Sequence, residues 1–269
     1  MRVVVITGSH RRHAWFTARL AERFTIASVV AMPREGSVPQ PPDGTGPHDR
    51  ENFVRHFRLR DEAEGATFGD ERDVFAAVPT LPIARDGLNG ADVADHLRAL
   101  DADACVVFGA DILREPLVSA LPPLTMNVHL GVSPWYRGTA TLFWPFHNLE
   151  PHWAGATLHR ITPQVDAGPI LATCHPPLRR GDGIHDVATR TVVSALDGVA
   201  ACLDLAASGR TLTEHPQRTA GRLYLTRHFR PEHLRVNYDL FDDRMVDAHL
   251  DGTIGRNPPP DPIVPAAAG

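Results

Sequence analysis

Three runs that are apolar apart from Arg2 and Ser28 constrain most strongly how this chain can fold. They are Arg2–Ile6, Ile26–Ala31 and Ala104–Phe108. Strands that are apolar throughout, without alternation of apolar and polar residues, are typical of parallel sheets covered on both faces. Between the first two runs, apolar side chains recur at helical spacing at Phe16, Leu20 and Phe24. The sequence therefore predicts βαβ units and an α/β fold with a mostly parallel central sheet.

The composition narrows the classes of protein that the chain can represent. Its 269 residues are 43% hydrophobic, which excludes a largely disordered chain. The formal net charge of −5 provides no overall basic field for nucleic acid, and no uncharged apolar run is long enough to span a bilayer. Cys105, Cys174 and Cys202 are far apart and odd in number, as is typical of reduced thiols. We expect a cytoplasmic protein that binds neither nucleic acid nor membrane.

Shifts in composition divide the chain into parts. Residues 1–210 form the main predicted domain, with an insertion at about 33–70. The insertion starts as a loop rich in proline, glycine and serine and continues as a charged helix over His48–Phe68. It could form a lid or a dimer contact.

The last part of the chain is separated from the main domain by a long helix. Asp182 is the expected N-cap of that helix, and its apolar stripe ends near Gly209. Residues 211–255 then form a C-terminal appendage. The proline-rich tail at 256–269 is expected to be disordered or draped on the surface.

One stretch, Met126–Leu171, carries the residues that indicate chemistry. Asn127 and His129 occupy alternate positions of an apolar run, so in a strand both side chains leave the same face. Asp166 follows on a loop that contains Gly168. An amide and an imidazole can stabilise an oxyanion, and a carboxylate can hold the imidazole charged or pass on a proton. Acyl transfer in which the protein supplies no nucleophile needs these groups.

Four motifs follow one another in this stretch: Asn127-x-His129, Pro134, Arg137-Gly138 and Asp166-x-Gly168. In their order and spacing, the chain resembles the folate-dependent formyltransferases. That family includes glycinamide ribonucleotide, methionyl-tRNA and sugar-nucleotide formyltransferases. The resemblance covers residues 104–209. It implies a Rossmann-like formyltransferase fold, a catalytic domain at 1–210 and an acceptor-side appendage at 211–255. It also implies 10-formyltetrahydrofolate as the formyl donor, with Asn127, His129 and Asp166 as catalytic residues.

The resemblance also implies positions for the two substrates. The loop after the third apolar run corresponds to the wall of the family's pterin pocket, and the loop around Asp166 adjoins that pocket. The cofactor-binding candidates on these two loops are Phe108, Gly109, Ile112, Leu113, Val165 and Gly168. The turn after the first strand precedes a helix N-terminus and could hold a phosphate or carboxylate of the acceptor. Its candidate residues are Gly8, Ser9, Arg11 and Arg12.

The chain departs from the family at one position of the central motif. Gly131 stands where family members usually have serine, so any hydrogen bond made by that hydroxyl is absent or supplied elsewhere. The histidine pairs His10/His13 and His147/His152 lack an acidic or cysteine partner, so no metal is predicted. His159 matches no signature position, and we expect it on the surface or in packing.

Three functions fit these observations. The first is an N-formyltransferase whose acceptor is the amine of a small molecule, either an amino sugar nucleotide or a specialised-metabolite amine. A methionyl-tRNA acceptor is disfavoured by the acidic charge and by the short C-terminal part. The second is a formyltetrahydrofolate hydrolase, although known members carry an N-terminal regulatory domain. The third is a non-catalytic folate- or nucleotide-binding module. A homodimer remains an open alternative.

Overall fold

The computed structural model describes residues 1–33, 38–70 and 72–268. Its strands are β1 (Arg2–Thr7), β2 (Thr25–Ala31), β3 (Thr80–Pro82), β4 (Ala104–Phe108), β5 (Leu124–His129), β6 (Arg137–Gly138), β7 (Ala156–His159), β8 (Ile170–Cys174) and β9 (Leu223–Tyr224). Its helices are α1 (Arg11–Ala21), α2 (Pro47–Phe68), α3 (Val74–Ala77), α4 (Ala91–Ala99), α5 (Phe143–His147), α6 (Ile184–Ala207), α7 (Leu234–Tyr238) and α8 (Met245–Leu250).

Within the described ranges, seven strands form one sheet in the order β3-β2-β1-β4-β5-β7-β8. The strands β3, β2, β1, β4 and β5 are parallel to one another. β7 is antiparallel to both of its neighbours, β5 and β8. The three apolar runs of the sequence are β1, β2 and β4, which occupy the middle of the parallel part. The predicted α/β fold with a mostly parallel sheet is therefore confirmed. A separate parallel pair joins β6 to β9.

The apolar strands are buried because helices cover both faces of the sheet. Val3 and Val5 of β1 face one core, which also contains apolar residues of α1 and α6. Val4 and Ile6 face the opposite core, where α4 packs. All four are fully buried, which explains why the strand has no polar alternation.

The helix predicted in the insertion is α2, and it is joined to the C-terminal appendage. Phe53 and Phe68 form its most buried aromatic positions. Arg235 donates two hydrogen bonds to the Asp49 carboxylate, at 2.6 and 2.8 Å. The ring of His56 is hydrogen-bonded through Nδ1 to the Tyr238 hydroxyl at 2.8 Å. The insertion and the appendage thus form a common wall. Residues 34–37 of the predicted loop lie outside the described part.

The start of α6 differs from the expectation. Its N-cap is Gly183, whose N–H donates to the Asp186 carboxylate at 2.8 Å. Asp182 instead accepts a hydrogen bond from the Arg179 N–H at 2.6 Å and pairs with Arg190. The prediction failed because another carboxylate, three residues into the helix, satisfies the free N–H of Gly183. The helix ends at Ala207, close to the expected end.

The proline-rich tail, expected to be disordered or draped on the surface, runs along the outer strand of the sheet. Thr173 of β8 donates its N–H to the Ile263 carbonyl at 2.8 Å and accepts the Ile263 N–H on its hydroxyl at 2.9 Å. The N–H of Ala268 donates to Thr211 at 2.8 Å. The final residue, 269, lies outside the described part. Among the helices of the described ranges, none has the length and apolarity needed to cross a membrane.

We expect Leu20→Ala to lower the free energy of unfolding by about 2–5 kcal/mol, because the side chain is fully buried between α1 and the sheet and its loss leaves a cavity. Leu240→Ala makes the same chemical change at a side chain that is 71% exposed. It should change stability by less than about 0.5 kcal/mol. Urea denaturation of both variants tests the assignment, and similar losses in the two would contradict it.

Candidate active site

The polar residues of the central stretch lie on the carboxyl half of β5 and at the end of β7, which runs antiparallel to β5. Asn127 and His129 are on β5, and Asn127 is paired across the antiparallel ladder with His159 of β7. The loop between β7 and β8 brings Asp166 back over these strand ends. Loops at the carboxyl ends of parallel strands are the usual ligand-binding edge of an open α/β sheet. The sequence-predicted residues Asn127, His129 and Asp166 therefore come together.

Asp166 lies at the centre of this cluster. Its Oδ2 accepts the Gly138 N–H at 2.8 Å and lies 3.3 Å from His129 Nδ1. Its Oδ1 lies 3.4 Å from His159 Nε2 and 3.5 Å from Asn127 Nδ2. The backbone of Asp166 has a φ of +49°, a left-handed conformation that aspartate tolerates better than most side chains.

The loop that carries Asp166 is held from the appendage. Gln217 donates from Nε2 to the carbonyls of Asp166 and Gly168, at 2.9 and 2.8 Å. Gly168 is buried beneath the loop. These two hydrogen bonds bridge both sides of the turn, so the carboxylate position does not depend on the turn alone.

Both ring nitrogens of His129 have protein partners. Nε2 is 2.7 Å from the carbonyl oxygen of Tyr136, which can only accept, so Nε2 carries a proton. Nδ1 then faces Asp166, and a second proton there forms an ion pair with the carboxylate. Burial lowers the pKa of His129 below its usual value, and the negative charge of Asp166 opposes that effect.

The carboxyl group of Asp166 is ionised at neutral pH. Burial alone would raise its pKa, but the interactions with His129 and His159 and the hydrogen bond from the Gly138 N–H outweigh that effect and hold its pKa at about 2. A carboxylate held by three different groups is the anionic form of Asp166 in the resting site.

Sequence reasoning missed His159, which is only 3% exposed. Its Nδ1 donates to the Arg160 carbonyl at 2.8 Å, so in the neutral ring Nε2 is an acceptor. Asn127 Nδ2 lies 3.1 Å from that nitrogen and can donate to it. His159 thereby orients the Asn127 amide. The available signal was its place at the end of a strand, seven residues before Asp166; the pairing with Asn127 was not visible in the sequence.

A cleft of about 1230 Å³ opens above the cluster. The predicted cofactor residues Phe108, Gly109, Ile112, Leu113 and Val165 line it, and Gly168 lies behind the loop. Ile112 is half exposed, so its side chain presents apolar surface to a ligand in the cleft.

The four residues predicted to hold the acceptor lie differently from the expectation. Arg12 lines the cleft, but Gly8, Ser9 and Arg11 are not among its lining residues in the described part of the chain. Arg12 makes a 2.6 Å ion pair with Glu64 of α2. Arg11 lies 3.7 Å from Asp61 on the same helix. The first turn is therefore engaged with the insertion, which the sequence could not indicate.

A second pair of histidines lines the wall of the cleft formed by α2 and α6. His56 and His185 are both buried, with ring centroids 4.4 Å apart. Burial lowers the pKa of His185 to about 3, and it also lowers the pKa of His56 well below its usual value. His185 is hydrogen-bonded to the His56 backbone, while its Nε2 is buried with no partner among the described atoms. Both rings are neutral near pH 7.

No group of three or more histidine, cysteine or acidic side chains suited to a metal ion occurs within residues 1–33, 38–70 and 72–268. The described cluster consists of an amide, two imidazoles and a carboxylate. Such a set can stabilise an oxyanion and accept a proton.

Comparison with known proteins agrees with this chemistry. Residues 2–198 match the family described as formyl transferase. The chain belongs to the formyl transferase family. It is 32% identical over 165 residues to the methionyl-tRNA formyltransferase of Mycobacterium avium, an alignment that covers 61% of this chain and 50% of that protein. The chain thus spans about half the length of the curated relatives that it matches.

Solved structures share the fold at lower identity. Phosphoribosylglycinamide formyltransferase from Anaplasma phagocytophilum has a TM-score of 0.55 at 19% identity, covering 84% of this chain and 97% of that one. The formyltransferase PseJ from Anoxybacillus kamchatkensis, in complex with UDP-4,6-dideoxy-4-formamido-L-AltNAc and tetrahydrofolate, has a TM-score of 0.50 at 14% identity. That match covers 95% of this chain and 99% of that one.

Close packing explains the glycine at the position where this formyl transferase departs from the family pattern. A Cβ on Gly131 would lie 2.6 Å from His129 Nε2 and 2.7 Å from the Thr141 Cβ, and would also contact the Tyr136 carbonyl oxygen. These are the ring nitrogen and the carbonyl that hold His129 in place. A serine cannot be accommodated here unless the ring of His129 moves.

We therefore expect Gly131→Ser to lower the free energy of unfolding by about 1–3 kcal/mol, the usual cost of overpacking a tight site. Gly87→Ser is the matched control, because nothing lies within 4 Å of a Cβ built there. Thermal unfolding of the two variants measures the difference. Equal melting temperatures for Gly131→Ser and the wild type would show that the site accepts a side chain.

The buried histidines should make stability depend on pH. Below pH 6.5, the usual histidine pKa, His185 is protonated in the unfolded chain, whereas in the folded chain it stays neutral until about pH 3. The free energy of unfolding therefore falls as the pH falls from 6.5 to about 3. The loss is up to about 1.4 kcal/mol per pH unit for each such histidine. His185→Gln should have a shallower slope than the wild type in urea denaturation at pH 7, 6 and 5; parallel slopes would contradict the assignment.

Proposed function

We propose that the chain is an N-formyltransferase that moves the formyl group of 10-formyltetrahydrofolate to the amine of a small molecule. The observation that carries this proposal is the position of Asn127 and His129, each within 3.5 Å of the Asp166 carboxylate at the floor of the cleft. These are the amide, imidazole and carboxylate that acyl transfer needs when no side chain acts as nucleophile.

The proposed reaction starts with attack of the acceptor amine on the formyl carbon. Negative charge develops on the formyl oxygen, where the Asn127 amide donates a hydrogen bond and the His129 ring, when protonated, supplies positive charge. The attacking nitrogen loses its proton to Asp166, directly or through one water. The bond between the formyl carbon and N10 of the folate breaks, and N10 takes a proton, which leaves tetrahydrofolate.

The walls of the cleft support a folate in this position. Phe108, Ile112, Leu113 and Val165 lie on one side of the cluster and suit the flat apolar faces of a pterin ring. Gly109 also lines the cleft. The folate would supply the formyl group, while the chain's own residues would hold both substrates, orient the formyl carbon and take the proton from the acceptor amine.

We further propose that the acceptor is a small molecule, an amino sugar nucleotide or a specialised-metabolite amine. The PseJ likeness, over nearly the whole of both chains, supports the first of these. The curated relatives are methionyl-tRNA formyltransferases, but they match only in about half of their length. The net charge of −5 also favours a small acceptor over tRNA. Three unpaired, buried cysteines support a cytoplasmic location.

We expect His129→Ala and Asp166→Asn each to lower kcat by about 10²-fold or more, because one removes the charge beside the developing oxyanion and the other removes the proton acceptor. The measurement is release of tetrahydrofolate from 10-formyltetrahydrofolate in the presence of a panel of amines, amino sugars and nucleotide-linked amino sugars. Mass spectrometry should find one acceptor that gains a formyl group.

The control is Asp43→Asn, which makes the same change at an exposed carboxylate outside the cleft and should leave the rate unchanged. Formate as the product, at a rate that no amine alters, would replace the transferase with a hydrolase. Folate binding without turnover, unchanged in both variants, would identify a non-catalytic binding module.

A further inference from the structure

The appendage carries the most basic stretch of this acidic chain. From Arg218 to Arg230 there are four arginines and no acidic residue, whereas the whole chain has a net charge of −5. All four arginines are exposed. A local concentration of positive charge in a negative protein attracts anions to that place in particular.

These arginines differ from most others in the chain because no carboxylate neutralises them. Within the described residues, none of Arg222, Arg227 and Arg230 takes part in an ion pair, whereas Arg235 binds Asp49 and Arg160 binds Glu214. Arg222 donates to the Tyr224 hydroxyl at 3.1 Å and lies over the ring of that tyrosine. Their charge is available to a ligand.

Three of the arginines, Arg222, Arg227 and Arg230, line a groove of about 530 Å³, which we call the basic groove. Leu223, Tyr224 and His228 also line it. Leu223 is 39% exposed and provides apolar surface between the charged groups. Guanidinium groups bind phosphate oxygens through paired N–H donors, and they also stack on flat rings. The groove therefore combines phosphate donors with surface for a planar apolar group.

The basic groove continues into the catalytic cleft. Leu223, Tyr224 and Arg227 line both. β9 is paired with β6, and Gly138 of β6 donates the hydrogen bond that holds the Asp166 carboxylate. The groove is thus about one strand spacing, ~4.8 Å, from the strand that touches the proton acceptor. A molecule anchored there can extend an amine to Asp166.

We infer that the basic groove binds the diphosphate of a nucleoside-diphosphate-linked amine, with phosphate oxygens on Arg222, Arg227 and Arg230 and the amine directed towards Asp166. The identity of the reacting group rests on the proposed formyl transfer; the anion site does not. Charge complementarity selects a polyanion, and the small size of the groove in a chain of net charge −5 favours a diphosphate over an RNA backbone, which would need a broad basic surface.

The test is binding of uridine diphosphate to the full chain by titration calorimetry, without folate. We expect saturable binding of UDP, weaker binding of UMP and none of uridine, because the phosphates supply the attraction. Arg227→Ala with Arg230→Ala should weaken UDP binding by about tenfold or more, since each removes charge-assisted hydrogen bonds. Higher salt should weaken binding to the wild type.

The matched control is Arg210→Ala, which removes an exposed arginine that lines neither the cleft nor the groove and should bind UDP as the wild type does. Equal melting temperatures of all variants would establish that they are folded. Equally strong binding of inorganic pyrophosphate and UDP would identify a site for free diphosphate and overturn the nucleoside part.

Two further outcomes would overturn the inference: no UDP binding, or UDP binding that the double variant leaves unchanged. Tighter, arginine-dependent binding of tRNA than of UDP would assign the groove to nucleic acid instead. The experiment uses neither formyl donor nor turnover. A failure to bind UDP would not contradict formyl transfer to another amine. A failure of formyl transfer would not contradict the anion site in the basic groove.

Discussion

The buried carboxylate of Asp166 is the constraint on which the rest of the site depends. It is 11% exposed, and it is stable as an anion only because His129, His159 and the Gly138 N–H surround it. An unpaired carboxylate in such a place would take up a proton or move towards water. Each partner comes from a different element, so the charge can be held only when β5, β6, β7 and the Asp166 loop are all in position.

The same constraint connects the catalytic cluster to the appendage. Gly138 donates to Asp166 on one side, and a Cβ on its other side would collide with the Tyr224 carbonyl of β9. Gln217 holds the loop from the appendage as well. The segment that follows the main domain is therefore part of the site. Its basic residues lie beside the cleft because β9 is anchored by the strand that serves the carboxylate.

The insertion completes the opposite wall by a different kind of contact. α2 reaches the appendage through the Asp49–Arg235 ion pair and the His56–Tyr238 hydrogen bond, and it reaches the first turn through Glu64 and Arg12. Charged pairs between partly exposed groups add modest stability, but they set orientation. This arrangement explains why the arginines of the first turn, predicted as ligands of the acceptor, face the insertion helix. Within the described residues, Arg222, Arg227 and Arg230 of the basic groove take part in no ion pair with a carboxylate.

Local pattern was enough to predict the parallel sheet and the helix of the insertion, whereas the grouping of Asn127, His129 and Asp166 was implied by the resemblance to the formyltransferases. Continuous apolar strands, helical spacing and residue order are properties of neighbouring positions, and the sequence contains them in full. Tertiary structure alone decided the role of His159, the start of α6 beyond Asp182 and the partners of Arg12. Each depends on a contact between residues far apart in the chain, such as the pairing of Asn127 with His159 across 32 positions. The order of residues along the chain does not show which distant residues meet, because burial and hydrogen bonding are set only once the sheet has formed.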